Sequence, residues 1–138
     1  MTKLIYEIID LVRKQKTKKE KVDILKANEC WALKDILRGT YDPRVQWNIP
    51  EGQPPFRPSR EESVPGNLLR ENTKFRYFVK GGQGDKLPKV KREAMFLGLL
   101  EGIHPKDAEL VIAMINKTAI AGITKPIIEE AFPGLLPS

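Results

Sequence analysis

At 138 residues the chain is the size of one ordinary domain built around one core. With 41% hydrophobic and 30% charged residues it has the balance of a folded, soluble protein, and no apolar run approaches the roughly 18 residues of a membrane span. Its single cysteine and single histidine exclude an internal disulfide, a tetrahedral zinc site and any Cys–His or Ser–His–Asp nucleophile system.

The net charge of +6 is unevenly spread. Residues 13–26 carry seven Lys and Arg against Glu20 and Asp23, and residues 74–92 carry seven against Asp85 alone. Two basic segments on a slightly acidic background are the footprint of phosphate binding. A pair of solvated helix faces has the same composition, so charge alone leaves both readings open.

Along the chain, Thr2 opens a first helix to about Gln15, with Leu4, Ile5, Ile8, Ile9 and Val12 on one side. Lys3, Glu7 and Asp10 interrupt this apolar stretch, so it does not read as a signal peptide. Thr17 and Glu20 form a capping box for a second helix to about Ala27. Asn28 is placed to cap a third, with Gly39 as its stop. Cys30, beside Trp31 in that pattern, reads as a core residue rather than a reactive thiol and fits a reducing compartment; the expected location is the cytoplasm.

From Tyr41 to Pro65 six prolines bar helix and make a long connection, pinned to the core by Trp47, Ile49 and Phe56 and exposed over 57–66. Helix resumes over Asn67–Val79. Gly81–Gly84 reads as a flexible connector rather than a phosphate cradle, lacking the preceding strand and the following Gly-Lys-Ser/Thr. A helix over Pro88–Glu101 is expected to turn Val90, Ala94, Leu97 and Leu100 inward. Another opens at Pro105, buries Ala108, Val111, Ile112 and Ile115, and runs to Ala121 with Gly122 as its stop. Thr124-Lys125-Pro126 opens a last short helix through Phe132. The fold class is thus all-α: a single domain of six or seven helices, divided into residues 1–39, a proline-rich connection 40–66, and 67–138.

Catalysis has little to stand on. His104 before Pro105 reads as a helix-start residue, and Glu61-Glu62 and Glu129-Glu130 are sequential neighbours that point apart. No enzyme, cofactor or metal site is expected. The Lys117–Lys125 segment is more informative. It reads as helix, glycine turn, helix, with the amides of the last helix, the Thr124 hydroxyl and the Lys117 and Lys125 charges forming an anion site. A helical hairpin with an ordinary cap is the other reading.

Three blocks carry a family resemblance: Thr17–Leu25; Thr40-Tyr41 with Val45-Gln46-Trp47 and Ile49; and Lys117–Pro137, ending Phe-Pro-Gly-Leu-Leu-Pro. In their order the chain resembles the amino-terminal, all-helical DNA-binding domain of the ATP-dependent DNA ligases of T-even-like bacteriophages. Residues 50–75 match poorly, Thr118 stands where that family has an acidic residue, and the Lys-x-Asp-Gly of the nucleotidyltransferase domain is nowhere in the sequence. The resemblance implies a stand-alone, non-catalytic module that holds duplex DNA by its backbone in phage replication or repair, in the host cytoplasm. It assigns first contacts to Lys117, Thr124 and Lys125. Lys86, Lys89, Lys91, Arg92, Lys18, Lys19 and Lys21 would form an electrostatic rim around them. The rival is an adaptor docking a sliding clamp, polymerase or host protein, with no membrane in either case.

Overall fold

The computed structural model describes residues 4–50, 52, 54 and 68–136. Among them the chain forms seven α-helices: α1 (Ile5–Lys14), α2 (Lys18–Ala27), α3 (Trp31–Tyr41), α4 (Leu68–Glu71), α5 (Lys89–Glu101), α6 (Pro105–Ile115) and α7 (Lys125–Ala131). Two 3-10 turns, Asn72–Tyr77 and Gln83–Lys86, fill the space between α4 and α5. The fold is all-α, as the periodicity implies. The only β pairing among the described residues is an isolated antiparallel bridge between Trp47 and Val79.

Helix α1 forms because Ile5, Ile8, Ile9 and Val12 recur on one face, and all four are buried. Its N-cap, Leu4, has no side-chain acceptor. The Leu4 N–H donates instead to Glu7 Oε1 at 2.9 Å, and the Tyr6 N–H donates to Asp107 of α6 at 2.8 Å. A carboxylate distant in sequence thereby satisfies an orphan amide of α1.

Helix α2 starts at the expected capping box. Thr17 Oγ1 accepts the Glu20 N–H and Glu20 Oε1 accepts the Thr17 N–H, each at 3.2 Å. Ten residues are too few for an isolated helix to persist in water. What holds α2 is Val22 and Leu25, buried where it packs on α1 and α7. The centre of the bundle is α6, which touches α1, α3 and α5 and buries Ala108, Val111, Ile112, Met114 and Ile115. Burying each large apolar side chain contributes roughly 1.5–3 kcal/mol, so these faces outweigh intrinsic propensity.

Several sequence expectations are corrected. Asn28 does not cap α3. It ends α2, with its side-chain amide donating to the Ile24 carbonyl at 2.8 Å, and Cys30 is the N-cap of α3. Gly39 does not stop α3, which continues to Tyr41. It is there because a Cβ would lie 2.5 Å from Trp47 and 2.6 Å from the Met114 sulfur. Cys30 packs against the core, but Trp31 is 70% exposed.

The glycine cluster is not a loose connector either. Gly84 is buried in the second 3-10 turn, and a Cβ there would meet the Tyr77 carbonyl oxygen at 1.6 Å. The inward face of α5 is Phe96, Leu99 and Leu100, while Val90 is 79% exposed and Ala94 is exposed. Arg92 takes the inward position one turn before Phe96, where main-chain carbonyls receive it. The first helix does not start at Thr2 but at Ile5, with the extended Leu4 as its N-cap; the packing of Phe56 and the exposure of 57–66 lie outside the described residues.

Helix α6 ends at Ile115, six residues before the expected end. The Thr118 N–H donates to the Ala113 carbonyl at 2.9 Å and the Lys117 N–H to that of Met114 at 3.1 Å. This is the Schellman closure, with Lys117 in the left-handed position (φ 55°) that glycine usually fills. Gly122 (φ 81°) serves a separate turn, closed by the Ile123 N–H on the Ile120 carbonyl at 3.1 Å.

Candidate nucleic-acid interface

Lys117 leaves α6 pointing at the segment after α3. Its ammonium donates to the Asp42 main-chain carbonyl at 2.7 Å, and burial holds its pKa below that of an ordinary lysine, against the pull of the Asp42 carboxylate. Asp42 itself is buried, and its carboxylate accepts from Arg44 Nη2 at 3.1 Å, Nε at 3.2 Å and the backbone N–H at 2.8 Å. The Arg44 hydrogen bonds keep that carboxyl below its usual pKa, despite its burial.

Lys117 and Asp42 line an open groove of about 740 Å³ together with Lys80, Lys89 and Arg92. Four cations from three parts of the sequence therefore share a groove with one carboxylate, which already has its own arginine. Asn48 and Gln46 add polar groups, and Tyr41 forms part of the wall. Arg92 is a clamp as much as a surface charge: Nε donates to the Asn48 carbonyl at 3.0 Å, and Nη1 to those of Gly84 and Leu87 at 3.1 and 3.2 Å. It fixes the groove wall by tying α5 to both neighbouring segments.

The Gly122 corner adjoins the groove through Tyr41. The Tyr41 hydroxyl accepts the Ile120 N–H at 2.8 Å and donates to the Ile123 carbonyl at 2.6 Å, so the turn hangs on one phenol. Gly122 is exposed, and its carbonyl accepts from the Lys21 ammonium at 2.6 Å. The Arg13 side chain lies close to the same residue. Thr124 is the N-cap of α7 without a side-chain cap bond, and Thr124 and Lys125 are both exposed.

The residues expected to act together thus divide into two clusters. Lys117, Lys89 and Arg92 belong to the groove; Thr124, Lys125 and Lys21 belong to the corner. Lys19 is exposed on α2, while Lys18 pairs with Glu130 of α7 at 3.2 Å. Lys86 and Lys91 are exposed but do not line the groove. Sequence reasoning did not single out Lys80, Arg13, Arg44 or the hydroxyl of Tyr41. The first two were visible only as members of basic runs, and nothing local marked the others.

Residues 8–120 match the model of a family of unknown function (DUF6433), which covers most of the chain. The chain belongs to that family. Comparison with curated proteins gives no match. The stretch this DUF6433 chain shares with its family spans the whole groove, Lys117 included, and stops at Ile120 before the Gly122 turn. Among the described residues no three His, Cys, Asp or Glu side chains are grouped to hold a metal ion, and no helix is long and apolar enough to cross a membrane. What the arrangement does chemically is present ammonium and guanidinium groups, amides and a hydroxyl in two clusters that meet at Tyr41.

Proposed function

We propose that this chain is a non-catalytic module that grips duplex DNA through its phosphates, without reading sequence, in phage replication or repair. The observation that carries the reading is the groove: Lys80, Lys89, Arg92 and Lys117 converge there, and the one carboxylate among them is buried and paired with Arg44. Cations lining one groove, two of them held there by main-chain carbonyls, suit a sugar–phosphate chain, which needs charge and hydrogen-bond donors but no base contacts. The likeness of the sequence to ligase DNA-binding domains favours duplex DNA over other polyanions. The Gly122 corner, with Arg13, Lys21 and Lys125, extends the basic strip past Tyr41.

The test is fluorescence anisotropy with two labelled duplexes of unrelated sequence, using the wild type and the Lys80→Ala/Lys89→Ala variant. Both lysines are exposed, so the fold should tolerate their loss. The variant should bind both duplexes more weakly, by the same factor. A loss confined to one sequence, or no loss, contradicts the reading.

A further inference from the structure

Trp31 opens α3 with 70% of its surface exposed, and with Val90 it makes up the exposed large hydrophobics of the described residues. Nothing in packing requires an indole there. The Lys34 ammonium lies 5.0 Å from its ring centroid, and the ring borders a second groove, of about 730 Å³, whose lining is mainly apolar. Arg38 and Arg76 line that groove as well. Its one carboxylate, Asp35, already accepts from Arg38 at 2.9 Å and from the Asn72 side chain at 2.7 Å. Val45 and Trp47 border both grooves, so the second continues the basic one.

A flat exposed ring on a groove that two guanidinium groups also line matches the alternation of base and phosphate in an unpaired strand. An apolar peptide would make no use of the arginines. We propose that Trp31 is a stacking platform for an unpaired base, and that the chain therefore takes single-stranded DNA in the Trp31 groove where it emerges from duplex held in the basic one. This rests on the backbone-binding reading of the adjoining groove. Arg38 and Arg76 would meet the phosphates on either side of the stacked base, while Lys34, ion-paired with Glu29 at 2.7 Å, lies over one face of the indole and would leave the other for the base.

The experiment uses the full chain, a labelled oligothymidylate and a labelled blunt duplex, with wild type, Trp31→Ala and Trp31→Phe. Binding of oligothymidylate by the wild type should quench tryptophan fluorescence. Trp31→Ala should weaken oligothymidylate binding on the order of 10-fold, and Trp31→Phe should retain most of it, since a phenyl ring also stacks. Blunt-duplex affinity should change little in either variant, which also reports that the fold is intact. The platform is refuted by a wild type that ignores oligothymidylate, by Trp31→Ala binding it as the wild type does, or by equal losses on both probes. An exposed indole that responds to no oligonucleotide belongs to a protein surface instead. Oligothymidylate binding through Trp31 with no binding of blunt duplex supports the platform and overturns the duplex reading alone.

Discussion

Lys117 occupies the left-handed position that closes α6, and from there its ammonium reaches the Asp42 carbonyl, 75 residues earlier in the chain, at 2.7 Å. A glycine would close the helix with less strain. The lysine instead holds α6 to the end of α3 and brings a partly desolvated cation into the groove.

Two substitutions separate these contributions. Lys117→Ala and Lys117→Gly both lose the bond to Asp42, but only the glycine relieves the left-handed backbone. The glycine variant should be the more stable by about 1 kcal/mol in urea unfolding. Equal stabilities would mean that the backbone at 117 relaxes once the side chain is gone.

Tyr41→Phe removes the hydroxyl that both accepts from Ile120 and donates to Ile123. Burial raises the phenol pKa, so it remains a donor throughout the neutral range. Losing it strands an N–H and a carbonyl in a part-buried turn, at about 1–3 kcal/mol. Thermal unfolding should show the drop, and hydrogen exchange should speed up at Ile120 and Ile123. Unchanged protection there would show that the turn holds without Tyr41.

Gly84 and Gly98 should respond in opposite ways to alanine. At Gly84 the new Cβ would sit 1.6 Å from the Tyr77 carbonyl oxygen, so backbone must move, at about 3 kcal/mol. At Gly98, inside α5, nothing lies within 4 Å, and alanine should stabilise by about 0.5–1 kcal/mol. Paired denaturant curves decide this. Two changes of the same sign would be inconsistent with the packing described.

Asp107 gives the fold a pH dependence. It is fully buried, its Oδ2 has no hydrogen-bond partner, and burial raises its pKa from 3.8 to about 6. The Tyr6 N–H and His104 favour its ionisation, while Glu7 opposes it. Because the folded pKa lies above the unfolded one, the native state holds more protons between these values. Stability from this group is therefore full below pH 3.8 and falls as pH rises through about 6, by roughly 3 kcal/mol. Asp107→Asn should flatten that slope in urea titrations between pH 4 and 7. A variant that keeps the wild-type slope would assign it to another group.

Much of the fold was legible because its signals are local. The spacing of Ile5, Ile8, Ile9 and Val12, the Thr17–Glu20 box, and Pro105 before an apolar stripe each specify an element within one or two turns. What stayed hidden depends on distant partners. Gly39 looks like a helix stop until Trp47 and Met114 press on it. Val90 looks buried until Arg92, drawn inward by three carbonyls, fixes the rotation of α5. Lys117 carries no sequence mark of a left-handed residue, so the apolar spacing alone extends α6 past its true end. The charge pattern named the two basic segments, but only folding shows that Lys80, Lys89, Arg92 and Lys117 share one groove while Lys21 and Lys125 share the Gly122 corner.

The most direct test of the central claim is the salt dependence of duplex binding by the wild type and by Lys80→Ala/Lys89→Ala. For a phosphate grip, log K falls linearly with log salt at about −0.9 per phosphate neutralised, and removing two groove lysines should make the slope shallower by nearly 2. A wild-type affinity indifferent to salt, or a slope that the double variant leaves unchanged, would contradict the account.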